Sequence, residues 1–159
     1  MKALPLRLNP GADLRAALST ALSAHGGEAA FVVSGVGSLC EARLRLAGRE
    51  ELHRIDGDLE ILTLSGTLGL GGPHLHASLS DAQGRVFGGH VGPGCIVRTT
   101  AEVLLAVLDD TTFTREPDDA TGYAELVIRP RRQSAAMCSQ PGDGEHVKSA
   151  DSLPTRFRP

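Results

Sequence analysis

HLHASLSDAQGRVFGGH, residues 74–90, is the stretch on which the fold of this chain turns. The first arm, His74 to Asp81, alternates. Leu75, Ala77 and Leu79 share one face, and His74, His76, Ser78 and Ser80 share the other. DAQG is a turn signal: Asp81 suits the first position of a type I turn, and Gly84 the left-handed position that closes a three-residue loop with a bulge. That loop length sets the register of the hairpin. His76 falls directly opposite His90, and His74 lies on the diagonal. Opposed Cβ atoms sit about 5 Å apart and diagonal ones about 7 Å, so three imidazoles converge on one face. A two-residue loop would put His90 on the other face. Gly88-Gly89 leaves room for a further bulge.

Three converging imidazoles suit zinc, or another divalent transition metal. Zinc takes neutral nitrogen ligands and keeps a fourth position for water when the protein supplies three. The alternative is a polar, water-filled pocket with no ion. H-x-H on one strand does not separate the two readings. A cross-strand third histidine is a better signal than H-x-H alone, and the two readings then stand about even.

Before the hairpin, Lys2 to Asn9 alternates weakly and reads as a first strand, with Pro5 suited to an edge. Asp13 is a good N-cap for LRAALSTALSAHG. Leu14, Ala17, Leu18, Ala21 and Leu22 form its apolar stripe, and His25 with Gly26-Gly27 ends it. Ala29 to Val36 is a continuous apolar run and reads as a buried strand. Leu39 to Leu46 is a separate strand with one wet, charged face. Leu52 to Leu70 carries one or two strands. After the hairpin, Cys95 to Leu108 is a long β-branched strand, and Thr111 to Arg115 and Tyr123 to Ile128 are two more. From Arg131 the periodicity stops, so residues 1–130 read as one domain and 131–159 as a polar, extended or mobile tail. Many strands with one helix near the N-terminus give an α+β class with a mostly antiparallel sheet.

The chain has 159 residues and a formal net charge of −3. Its size fits one domain that folds without staples. The acidic balance argues against nucleic-acid binding through a bulk field. Four Phe, one Tyr and no Trp leave little for base stacking. Cys40, Cys95 and Cys138 are odd in number and far apart, which fits a reducing cytoplasm. Neither a signal peptide nor an apolar run long enough to span a membrane is expected.

No glycine-rich phosphate loop and no nucleophile elbow is present. Glu102, inside the apolar TAEVLLAV, is the candidate general base or acceptor for a histidine N–H; otherwise it faces solvent. Asp81 is a second base candidate, better explained as a turn former. Arg43 and Arg45 read first as a solvated face and second as an anion site. RPRR at 129–132 reads as the polar end of the last strand, with a phosphate contact as the alternative. His25 reads as a helix cap, and His146 and Cys138 carry no assigned role.

RLNPGADL, SGVGSL, GDLEILTLSGTL, HLHASLSDAQGRVFGGHV, TAEV and TGYAEL occur in this order from Arg7 to Ile128. Together they resemble the PPC (plant and prokaryote conserved) domain, which also follows AT-hooks in plant nuclear proteins. The resemblance implies an α+β domain with a central mixed sheet that assembles as a homotrimer and binds partners. It also implies the DNA-associated label carried by prokaryotic members, and a metal at His74, His76 and His90, as some members hold. This chain has no AT-hook, and it reads GDLEIL where plant members have a basic and an aromatic residue. Two functions follow. One is an oligomeric binding module with a DNA-associated or regulatory role. The other is a metal-dependent enzyme acting on a small molecule.

Overall fold

The computed structural model describes residues 1–131. The expected tail therefore lies, apart from Arg131, outside the described residues, as do His146 and Cys138. The elements run β1 (Lys2–Leu8), α1 (Leu14–Ala24), β2 (Ala29–Arg45), β3 (Leu52–Gly69), β4 (His74–Asp81), β5 (Val86–Val91), β6 (Ile96–Val107), β7 (Thr111–Pro117) and β8 (Ala124–Pro130). They form a single domain, mostly antiparallel β with one helix near the N-terminus.

The helix begins as its sequence dictates. The Asp13 carboxylate accepts from the Ala16 N–H at 2.9 Å, and its other oxygen accepts from the Gly94 N–H at 2.6 Å. One side chain thus caps α1 and ties it to the turn before β6. Leu14, Leu18 and Leu22 bury one helical stripe against the sheet. Each such leucine is worth roughly 1.5–3 kcal/mol relative to an exposed one. His25 follows as the C-cap, its N–H bonded to the Ala21 carbonyl.

The main sheet has the order β1-β6-β2-β3-β4-β5. The C-terminal end of β2 also pairs with β5, Leu44 with Val91 and Arg45 with His90, so β2, β3, β4 and β5 close on themselves. Leu39, Leu44, Leu59, Leu75, Leu79 and Val91 fill the inside. β7 and β8 form a separate hairpin, anchored by buried Phe113, whose ring packs edge-on against Phe31 at 5.4 Å.

Three expectations are corrected. Among the described residues every strand pairing is antiparallel, so the sheet is not mixed. The two strands read from Ala29 to Leu46 are one 17-residue strand. Bulges bend it without ending it, and Gly37, at φ +143°, lies so close to β6 that a Cβ would come within 2.3 Å of the Thr100 carbonyl. Finally, the run Ala29–Val36 is not wholly buried. Val33 is the extra residue of a bulge, and Phe31, Val33 and Val36 are exposed by 43%, 60% and 48%.

Candidate metal centre

Leu75, Ala77 and Leu79 point into the core, so the pleat turns His74 and His76 outward. The turn that follows fixes what they meet. The Asp81 carboxylate accepts from the N–H groups of Gln83 and Arg85, both at 2.9 Å, and pairs with the Arg85 guanidinium. Gly84 takes φ 77° and donates to the Asp81 carbonyl at 2.9 Å. This is the three-residue loop that the sequence implies, and His76 lies opposite His90. The Gly88-Gly89 pair adds no bulge, because the β4–β5 ladder is unbroken there. The two glycines serve close packing instead. A Cβ on Gly88 would come within 2.5 Å of the Ala77 carbonyl, and one on Gly89 within 2.7 Å of the Arg45 carbonyl. β5 is thereby wedged between β4 and β2, and the register carries across. Ser65, His76, His90 and Arg45 form one row over β3, β4, β5 and β2.

One ligand nitrogen from each of His74, His76 and His90 lies within 4.8 Å of the others. The Nε2 atoms of His74 and His76 are 3.1 Å apart. Two nitrogens on one tetrahedral zinc stand about 3.3 Å apart, so that pair already has the spacing of shared ligands. Nδ1 of His90 is buried and has no hydrogen-bond partner among the described residues. Such an atom is costly to leave unpaired, and an ion or a donor from outside would satisfy it.

The surroundings of His74 and His90 favour the neutral ring. Burial, then the neighbouring His74, Arg45, Arg15 and His76, push the His90 pKa down to about 4. Burial, then Arg115, lower that of His74. The neutral imidazole is the form that binds a metal.

Arg115, from β7, adds a constraint. Its Nη2 donates to Nδ1 of His74 at 2.7 Å. A guanidinium has no acceptor atom, so this bond requires Nδ1 of His74 to be unprotonated. Ligation through Nε2 puts the proton on Nδ1, and ligation through Nδ1 occupies the acceptor. Either way, metal binding at His74 displaces Arg115.

The other candidates lie elsewhere. Glu102 is exposed on β6, between Arg7 of β1 and Val36 of β2, and does not line the cleft beside the imidazoles. Asp81 builds the turn. Arg43 is ion-paired to Glu41, as a solvated face should be, whereas Arg45 faces His90. Arg129 pairs with Glu116 and Arg131 with Glu28, which commits two arginines of RPRR to the protein itself. Sequence reading missed Arg15, Arg115 and Glu125, all of which line the imidazole cleft. No local pattern marks them, because only the closure of the sheet and the docking of β7–β8 bring them there.

Residues 1–109 match the profile of the Plants and Prokaryotes Conserved (PCC) domain. The chain is 46% identical over 147 residues to the bifunctional protein GlmU of Synechococcus sp. (strain JA-3-3Ab), covering 92% of this chain but only 24% of that relative. It thus spans about a quarter of the curated relative's length. A hypothetical protein from Salmonella cholerae-suis shares 40% identity and the fold at a TM-score of 0.79, over 82% of this chain and 95% of that one. A metal-containing protein from Archaeoglobus fulgidus shares 29% identity at a TM-score of 0.67, over 80% and 94% of the two chains. A candidate DNA-binding protein from Ralstonia eutropha JMP134, at 20% identity and a TM-score of 0.67, covers 79% and 90% and shares the fold.

Proposed function

The chain belongs to the Plants and Prokaryotes Conserved domain family, and from that premise we propose that it is an oligomeric binding module whose His74, His76 and His90 hold one zinc or another divalent transition ion. The observation that carries this reading is the convergence of three ring nitrogens within 4.8 Å. The Nδ1 of His90, without a hydrogen-bond partner among the described residues, and the lowered pKa values of His74 and His90 support it. The metal-containing relative from Archaeoglobus supports the class of ligand. Elemental analysis of protein purified without a histidine tag tests the proposal. One divalent ion per chain is expected. Protein that stays metal-free after incubation with zinc, cobalt and manganese contradicts it.

The assembly we propose is a cyclic homotrimer. Phe31, Val33 and Val36 on β2 and Leu62 on β3 expose apolar surface of the kind a neighbouring subunit covers. Light scattering should give three times the chain mass at micromolar concentration, and a monomer mass contradicts it. A DNA-associated or regulatory role in the cytoplasm is the wider setting of this reading, supported by the name of the Ralstonia neighbour. Against a net charge of −3, DNA binding requires a local contact, and retardation in a gel at low salt is its test.

The second reading is metal-dependent chemistry on a small molecule, favoured by the open cleft beside the imidazoles. A bound ion would supply Lewis acidity there. Glu125 lines that cleft and Glu102 does not, so Glu125 replaces Glu102 as the base candidate in this reading.

A further inference from the structure

The imidazole face opens into a cleft of about 780 Å³. That lies within the range of sites for small molecules, roughly 300–1,000 Å³. Arg15 of α1, Arg45 at the end of β2, Arg49 just beyond it and Arg115 of β7 all line it, beside His74 and His90. Glu50 and Glu125 also line it, so the cleft keeps an excess of positive charge in a chain of net charge −3.

The distribution of partners is the stronger observation. Among the eleven described arginines, Arg43, Arg54, Arg85, Arg98, Arg129 and Arg131 are ion-paired with carboxylates. Five have no carboxylate partner among the described residues, and four of those five line this one cleft. Two of the four are held by neutral groups. Arg15 donates to the Val91 carbonyl at 3.2 Å, and Arg115 to the Ala124 carbonyl at 3.1 Å and to His74. Those contacts hold the guanidiniums without an ion-pair partner among the described residues. Gathering like charges in this way is unfavourable for the bare fold, and a bound anion reverses the sign.

We propose that this cleft binds a small organic oxyanion, a carboxylate or a phosphate, through Arg45, Arg15 and Arg115. The guanidinium fork matches both groups in two-point hydrogen bonds. The anion site stands on the arginines alone. Its coupling to an ion rests on the metal reading above. Metal binding displaces Arg115 from His74, which releases that guanidinium to the anion. Occupancy by metal therefore tightens anion binding.

Calorimetric titration of the untagged full chain tests this, with inorganic phosphate and malonate as probes, in chelator-stripped and zinc-loaded protein. At least one probe is expected to bind stripped protein, and more tightly once zinc is loaded. Arg45→Gln should weaken it about tenfold or more, since a charge-assisted hydrogen bond contributes about 1.5–3 kcal/mol. Arg45→Lys should fall between, and Arg54→Gln, in an ion pair elsewhere, should bind as wild type. Melting curves matching wild type establish that each variant is folded. Arg115→Gln should weaken the anion while zinc affinity stays equal or rises. Probe binding to protein that takes no zinc upholds the cleft and removes the metal reading. Zinc binding with neither probe bound overturns the cleft. So does probe binding that Arg45→Gln and Arg15→Gln both leave unchanged.

Discussion

Strand β2 ends in two differently treated stretches of one face. Glu41, Arg43 and Arg45 alternate with buried Ala42 and Leu44 and point outward together. At the first stretch Glu41 pairs with Arg43 at 2.7 Å and with Arg54 of β3 at 3.1 Å, and Arg54 pairs again with Asp56 at 2.8 Å. Two residues on, Arg45 meets His90 in place of a carboxylate, and beyond it stand His76 and His74. The first stretch is neutralised by the chain's own charges and asks nothing of its surroundings. The second keeps bases and guanidiniums together, with a buried nitrogen that has no hydrogen-bond partner among the described residues. In the first, polar residues serve the fold. In the second they make no ion pair with a carboxylate among the described residues, which is the basis of the metal and anion proposals.

Removing one imidazole should separate the two stretches most sharply. His76→Ala is expected to lower zinc affinity about a hundredfold or more, since even an outer-shell partner of a ligand costs 10–100-fold. Glu41→Gln should leave it within about twofold of wild type by the same criterion. Competition against a chromophoric zinc chelator measures both, and equal losses would erase the distinction.

Acid comes next. A ring whose pKa in the folded protein is lowered resists protonation, so it stays a ligand as pH falls. With His90 at about 4 and His74 also lowered, zinc should persist below pH 6.5, the ordinary imidazole value, and be lost toward pH 4. The same shift has a signed effect on the metal-free protein. The unfolded chain takes up protons near 6.5 and the folded chain only near 4, so stability falls as pH drops through that window. Zinc release centred above pH 6.5 would contradict the buried, charge-crowded setting of these rings.

Gly89→Val should lower stability by about 1–3 kcal/mol, the usual range for overpacking. Its side chain would meet the Arg45 carbonyl, at 2.7 Å from the Cβ alone. It should also weaken zinc binding, because it forces β5 away from β2 and displaces His90. Chemical denaturation and the chelator assay read the two effects. Destabilisation with unchanged zinc affinity would show that the wedge does not position the ligand.

The smallest effect belongs to the ion-paired stretch. Glu41→Gln should cost between 0 and about 1 kcal/mol, since its partners are largely solvated. His25→Ala, at the exposed helix cap, should leave zinc affinity unchanged.

What the sequence discloses follows the same division. The hairpin is legible because a three-residue loop and a strict two-residue alternation fix register locally, which brings His74, His76 and His90 together on paper. The Asp13 cap and the Leu14, Leu18, Leu22 stripe are legible for the same reason. β2 is not. Its bulges near Val33 and Leu39 reset which face each residue occupies, so an apolar run expected to be buried leaves Phe31, Val33 and Val36 exposed. Glu102 shows the converse: an apolar neighbourhood in sequence, an exposed position in space. Arg15 and Arg115 reach the imidazoles through long-range closure, which no window of neighbouring residues encodes.

X-ray absorption at the zinc edge of untagged, zinc-loaded protein tests the shared three-imidazole site most directly. The expected spectrum has three imidazole nitrogens at about 2.0–2.1 Å and a fourth light ligand, with the imidazole contribution reduced in His76→Ala. Sulfur scattering near 2.3 Å would place the ion on cysteine. That result, or a spectrum unchanged by His76→Ala, would contradict the site.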